Sequence, residues 1–205
     1  MKRSLLVLFL TVVVSVPTFA MEIIPKVGYL FSPGLHFKKI SYNKASSFSA
    51  GADFMFQMGK TGLYIGPGFA WNQKHQVVDV RETKFGFTNI FVNAKYKFKA
   101  GEVDLYPFFQ LGLGISNIDK FNEAEVELEN IHARKEEFSG GVYYGIGFGA
   151  EYKNIVFELL YGCNFGGYTY EREHWFEGHL EEYEKHTETV TYSAFRIQIG
   201  YKFSL

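Results

Sequence analysis

Charged side chains recur at alternate positions inside otherwise apolar stretches of this chain, and ion pairing is the first chemistry their spacing allows. Asp53, Lys95, Lys97, Glu151, Glu158, Arg196, Lys202 and Lys26 each occupy a run in which neighbouring positions are apolar. If that polar face closes on itself, each charge leaves water, and an isolated buried charge is costly unless it is paired. Acids and bases occur there in similar number, so the expected arrangement is a network of mutual ion pairs. Its simplest role is structural, and a gate or proton path is the functional alternative.

A second set of charges lies between the apolar stretches. Asp119, Glu123, Glu125, Glu127, Glu129, Glu136 and Glu137 fall in one segment, and Glu171, Glu173, Glu177, Glu181, Glu182, Glu184 and Glu188 in another. An earlier segment is basic, with Lys38, Lys39 and Lys44. Such runs are either plain solvated surface or a means of electrostatic attachment to a cationic partner or divalent ions. Trp175-Phe176, set between acidic residues, offers an aromatic contact anchor or a ring lying at a membrane surface. The histidines His36, His75, His132, His174, His179 and His186 all lie in or next to the polar segments between the apolar stretches. Imidazole binds zinc or copper, but their spacing matches no metal motif and polar filling is the simpler reading. Serines and histidines at that level, such as Ser193 and His186, are raw material for nucleophilic catalysis. No recognisable signature joins them, so a non-enzymatic protein without a cofactor is expected.

The elements that must carry these residues are strands. Thr88, Ile90, Val92, Ala94, Tyr96 and Phe98 alternate with Asn89, Asn93, Lys95 and Lys97 over Phe87–Phe98. Leu105–Ile118 sets Leu105, Pro107, Phe109, Leu111, Leu113 and Ile115 against Gln110, Gly112, Gly114 and Ser116. Phe138–Tyr152 sets Val142, Tyr144, Ile146, Phe148, Ala150 and Tyr152 against Gly141, Gly145, Gly147, Gly149 and Glu151. Period two over this length means long strands with two unlike faces. Glu22–Phe31, Phe48–Met58, Gly62–Asn72, Ile155–Tyr168 and Val190–Leu205 follow the same rule, which makes eight. The connections alternate in length. Gly59-Lys60-Thr61, Ala100–Asp104 and Lys153-Asn154 are short, whereas Ser32–Ser47, Gln73–Gly86, Asp119–Glu137 and Thr169–Thr189 are long and polar.

Composition and the chain start decide where such strands belong. Lys2 and Arg3, the apolar run Leu5–Val16 and the small residues of Pro17-Thr18-Phe19-Ala20 have the layout of a secretory signal peptide cut after Ala20. Residues 1–20 are therefore expected to be removed, and 21–205 to form one domain. A formal net charge of -1 offers no basic footprint for nucleic acid. The single cysteine, Cys163, excludes a disulfide within the chain. With 22 Phe, 14 Tyr and 21 Gly against 5 Pro, the composition favours strands. No later stretch is apolar enough for a membrane helix, so entry into a membrane would require a closed barrel. A soluble barrel of the lipocalin type alternates as well, but it turns its apolar face inward and needs an outer face rich in charge. Here the bulky Leu, Ile, Phe and Tyr face suits lipid, and the small polar face suits a crowded lumen. The expected fold is thus all-β, an eight-stranded antiparallel transmembrane β-barrel with short periplasmic turns and long extracellular loops.

The C-terminal alternation of Phe195, Ile197, Ile199, Tyr201, Phe203 and Leu205 resembles the last strand of outer-membrane proteins. With the Gly-aromatic strand Gly141–Gly149, the chain from 21 to 205 resembles small eight-stranded bacterial outer-membrane barrels of the opacity or outer-membrane-protein X type. Those end in Phe, and this chain ends in Leu205. The resemblance implies an outer-membrane location, recognition of the last strand by the barrel assembly machinery, and contact with outer-membrane lipid and lipopolysaccharide. It implies no large pore, since eight strands leave a lumen barely wide enough for side chains. Function would then rest on surface adhesion or interaction through the charged loops, with a host or other cationic surface as partner. A narrow channel for small or apolar solutes, as in the outer-membrane-protein W family, is the alternative. A lipid-modifying enzyme comes third.

Overall fold

A computed structural model of the chain describes residues 20–36, 41–43, 46–76, 84–118, 131–176 and 179–205. Residues 1–19, which hold most of the expected signal peptide, lie outside it. Eight strands form the wall: β1 (Met21–His36), β2 (Ser47–Gln57), β3 (Leu63–Asn72), β4 (Lys84–Tyr96), β5 (Val103–Ile118), β6 (Gly141–Tyr152), β7 (Ile155–Phe176) and β8 (His179–Tyr201). Each pairs antiparallel with its sequence neighbour, and β1 pairs antiparallel with β8, Val27 opposite Ile199 and Phe31 opposite Phe195. The sheet closes on itself, so the wall has no free edge.

Every wall strand alternates between the two faces. Along β5, Phe109, Leu111, Leu113 and Ile115 are exposed, while Tyr106, Phe108 and Gln110 are buried. Along β8, Phe195, Ile197, Ile199 and Tyr201 are exposed, while Tyr192, Ala194, Arg196 and Gln198 are buried. The apolar face is therefore the outer one. The eleven residues of β5 from Leu105 to Ile115, at the usual rise and barrel tilt, make an apolar belt about 25 Å tall. Aromatics mark its two borders. Tyr96, Phe98, Tyr152, Tyr201 and Phe203 stand exposed at the short-turn rim, and Phe48, Trp71 and Phe165 at the other. The tight turns are built for their conformation, with Gly59 and Gly101 at φ 64° and 68°.

The strands outrun the wall at the rim opposite the tight turns. The expected loop Thr169–Thr189 is instead a β-ribbon: β7 and β8 stay paired from Thr169 opposite Thr187 to Phe176 opposite His179. Ile131–Ser139, expected to belong partly to the preceding loop, pairs along the other side of β7 from His174 to Gly167. The result is a three-stranded extension of the sheet. Ser41–Asn43 likewise folds back on His36, Leu35 and Gly34 of β1. These segments were expected to be loops because both of their faces are polar. Their Thr, Tyr and Phe content still favours strand, and their backbone groups pair whatever the side chains meet.

Candidate functional site

The lumen is the site, and small residues in its wall make room for it. Gly147 stands opposite Phe108 and Gly149 opposite Tyr106 across β5 and β6. A methyl group on Gly149 would lie 2.3 Å from the Tyr106 ring, and one on Gly147 would lie 2.4 Å from the Phe108 ring. Each aromatic therefore lies flat across the glycine it faces. Ile24, Met55, Tyr106, Phe108, Val156 and Leu160 form one buried cluster, and Ala70, Phe91 and Tyr143 another. The expectation of an inner face made mostly of small and polar residues is corrected here. Large apolar side chains alternate with the charges, because a barrel this narrow excludes voids as strictly as any core.

The charges are layered. Nearest the short-turn rim, the Glu22 carboxylate accepts from Lys97 Nζ at 2.7 Å and Lys95 Nζ at 3.1 Å, with Lys202 Nζ at 3.9 Å. Glu151 pairs with Lys97 at 2.7 Å and with Lys202. The Tyr64 ring lies beneath two of the ammonium groups, 4.4 Å from Lys97 and 5.4 Å from Lys95. Deeper in, Lys26 Nζ donates to Asp53 at 2.5 Å and to Glu158 at 2.6 Å. Neutral donors complete both carboxylates. The Asn93 amide reaches Asp53 at 2.7 Å, and the Tyr106 hydroxyl and Gln198 amide reach Glu158 at 3.0 and 3.1 Å. Above that layer, Arg196 donates to Asn72 Oδ1 at 3.0 Å. Buried ion pairs are held when their remaining lone pairs are satisfied in this way.

The structure thus brings Asp53, Lys95, Lys97, Glu151, Glu158 and Lys202 into two linked ion-paired layers and sets Arg196 apart from them. Sequence reasoning missed Glu22, which is 5 % exposed and touches three lysines. Its signal was there, since Glu22, Ile24 and Lys26 share one phase of β1. Sequence reasoning also missed the neutral partners Asn72, Asn93, Tyr106 and Gln198. Among the loop residues, Glu123, Glu125, Glu127 and Glu129 lie outside the described residues. Trp175 and Phe176 fall at the ribbon tip, opposite Leu180 and His179. Ser193 and His186 are not brought together. Both lie on β8, seven residues apart, a separation of about 23 Å along a strand. Among the described residues no three metal-ligating side chains gather.

No family model matches the chain. An uncharacterized protein of Pasteurella multocida is 27% identical over 197 residues, covering 87% of this chain and 78% of that one. Among solved structures, Neisserial surface protein A superposes with a TM-score of 0.52 at 13% identity, covering 89% of this chain and 97% of its own. A major outer membrane protein from Thermus thermophilus gives a TM-score of 0.52 at 12% identity, covering 90% and 100%. The fold is that of small eight-stranded outer-membrane barrels.

Proposed function

We propose that this chain is an integral outer-membrane barrel that carries no large pore and acts at the cell surface through the ribbon rising from one rim. The observation that carries the reading is the pairing of an exposed apolar belt with a lumen crossed by successive ion-paired and aromatic layers. The belt commits the wall to lipid. The layers occupy the space through which a solute would pass. What remains available to a partner is the three-stranded extension and the segments beside it. In this reading the tight turns face the periplasm, and the ribbon stands among the lipopolysaccharide headgroups. The last strand, ending Tyr201, Phe203 and Leu205, presents the alternating aromatics suited to the barrel assembly machinery.

Adhesion or surface interaction fits this geometry because the ribbon is paired on both sides of β7, which makes a stiff platform. Its acidic residues, together with Asp119, Glu123, Glu125, Glu127 and Glu129 of the adjoining segment, favour a cationic surface or divalent ions bound beside lipopolysaccharide. The test is a binding screen of folded barrel against host matrix proteins, lipopolysaccharide vesicles and divalent ions. Two variants serve as comparison, one with residues 119–130 removed and one with Trp175 and Phe176 changed to Ser. An electrostatic role predicts that removing 119–130 abolishes most binding, and that binding of the unaltered protein falls from low to physiological salt as exposed charges are screened within about 8–10 Å. Binding that survives both would move the contact to the aromatic tip. Binding lost in neither variant would end the reading.

A further inference from the structure

One cation of the lumen stands apart from the ion pairs. Lys26, Lys95, Lys97 and Lys202 meet the carboxylates of Glu22, Asp53, Glu151 and Glu158. Every one of those carboxylates is engaged by lysine. Arg196, only 4% exposed, meets neutral oxygens instead, Asn72 Oδ1 at 3.0 Å and Gln198 Oε1 at 3.5 Å. Its Nε has no hydrogen-bond partner, and neither do Asn72 Nδ2 and Ser49 Oγ, all of them buried.

These donors belong to one place. Asn72 is bonded to the guanidinium, and Ser49 stands opposite Asn72 in the β2–β3 register with both side chains inward. Gly28 lies between Ser49 on β2 and Gln198 on β8. A methyl group on Gly28 would lie 2.7 Å from Ser49 Oγ and 3.0 Å from Gln198 Cγ, so these two side chains close over the glycine. Arg196, Asn72 and Ser49 are therefore neighbours on the lumen side, above the Lys26 layer.

We propose that this level of the lumen binds a small monovalent anion, in ordinary media chloride, held by Arg196 Nε, Asn72 Nδ2 and Ser49 Oγ. A water molecule would accept the same hydrogen bonds but leave a buried guanidinium without a countercharge. In a low-dielectric interior the Coulomb term favours the anion. The donor set also selects. It offers a cationic N–H, an amide N–H and a hydroxyl, with no carboxylate among them to repel the ion, and a lumen of eight strands leaves little room for a bulky one.

Two measurements on the whole folded barrel test this. Crystals grown with bromide in place of chloride should give an anomalous peak in contact with Arg196 Nε and Asn72 Nδ2. Thermal unfolding should be higher in sodium chloride than in sodium gluconate at equal ionic strength, because gluconate is too large to enter. Arg196→Gln should weaken that chloride dependence by about tenfold or more, the loss of one charge-assisted contact. Ser49→Ala, a milder change, should weaken it less. If Arg196→Gln fails to fold, the bromide experiment and Ser49→Ala still decide. No peak at Arg196, a bromide peak at the protein surface only, or equal stability in both salts would overturn the proposal.

Discussion

At the scale of the residue, Glu158 and Glu22 hold the most connections. Glu158 accepts from Lys26, Tyr106 and Gln198. Its replacement by Leu leaves Lys26 with one carboxylate and two neutral donors without an acceptor. Glu158→Leu should therefore lower barrel stability by about 3–5 kcal/mol, the usual cost of breaking a buried pair from one side. Urea unfolding in detergent micelles would read this, and an unchanged midpoint would mean that the layer contributes nothing. Gly149→Val tests the aromatic layer. Its side chain would collide with the Tyr106 ring and pull the hydroxyl from Glu158, so a loss of about 1–3 kcal/mol is expected from overpacking. Most of these charges were legible in the sequence because each stood in phase with glycines or amides on a strand whose other face was apolar. Glu22 carried a weaker mark of the same kind, because it opens the first strand and shares its phase only with Ile24 and Lys26 after it. The neutral partners were illegible for another reason. An Asn or Gln pointing inward carries no mark of which carboxylate it will meet, since that depends on the register between distant strands.

At the scale of the element, alternation and turn lengths made all eight wall strands legible to within a few residues, and they failed where both faces are polar. Thr169–Phe176 and His179–Thr189 pair residue by residue apart from one bulge after His174, yet period two is invisible when Glu, Lys, Thr and Tyr occupy both phases. The apolar pattern reports burial, and only indirectly the strand itself. The ribbon should therefore behave as an accessory to the barrel. Replacing Tyr170–His186 by a short Gly-Asn turn should leave the heat-dependent gel shift of the folded barrel in place. A variant that migrates as unfolded chain without heating would show that the ribbon is part of the folding unit.

At the scale of the whole molecule, the belt and the filled lumen make two claims about behaviour. The protein should fractionate with outer membranes, and recovery as a soluble periplasmic protein would contradict the belt. Purified barrel in planar bilayers should give no stable current of porin size. Reproducible large openings would mean that the ion-paired layers part under voltage. The closed wall also has a consequence for how it is made. Lys26 on β1 reaches Asp53 on β2, 27 residues on, and Glu158 on β7, 132 residues on, while Glu22 on the same strand waits for Lys95, Lys97 and Lys202. The first strand to emerge thus carries charges whose partners arrive with almost the last, and contacts of such long separation form slowly. Until β8 docks, those charges need water, so a half-built wall cannot settle in lipid. Completion is the step that admits the chain to the bilayer, and a strand missing from the end should strand the beginning as well.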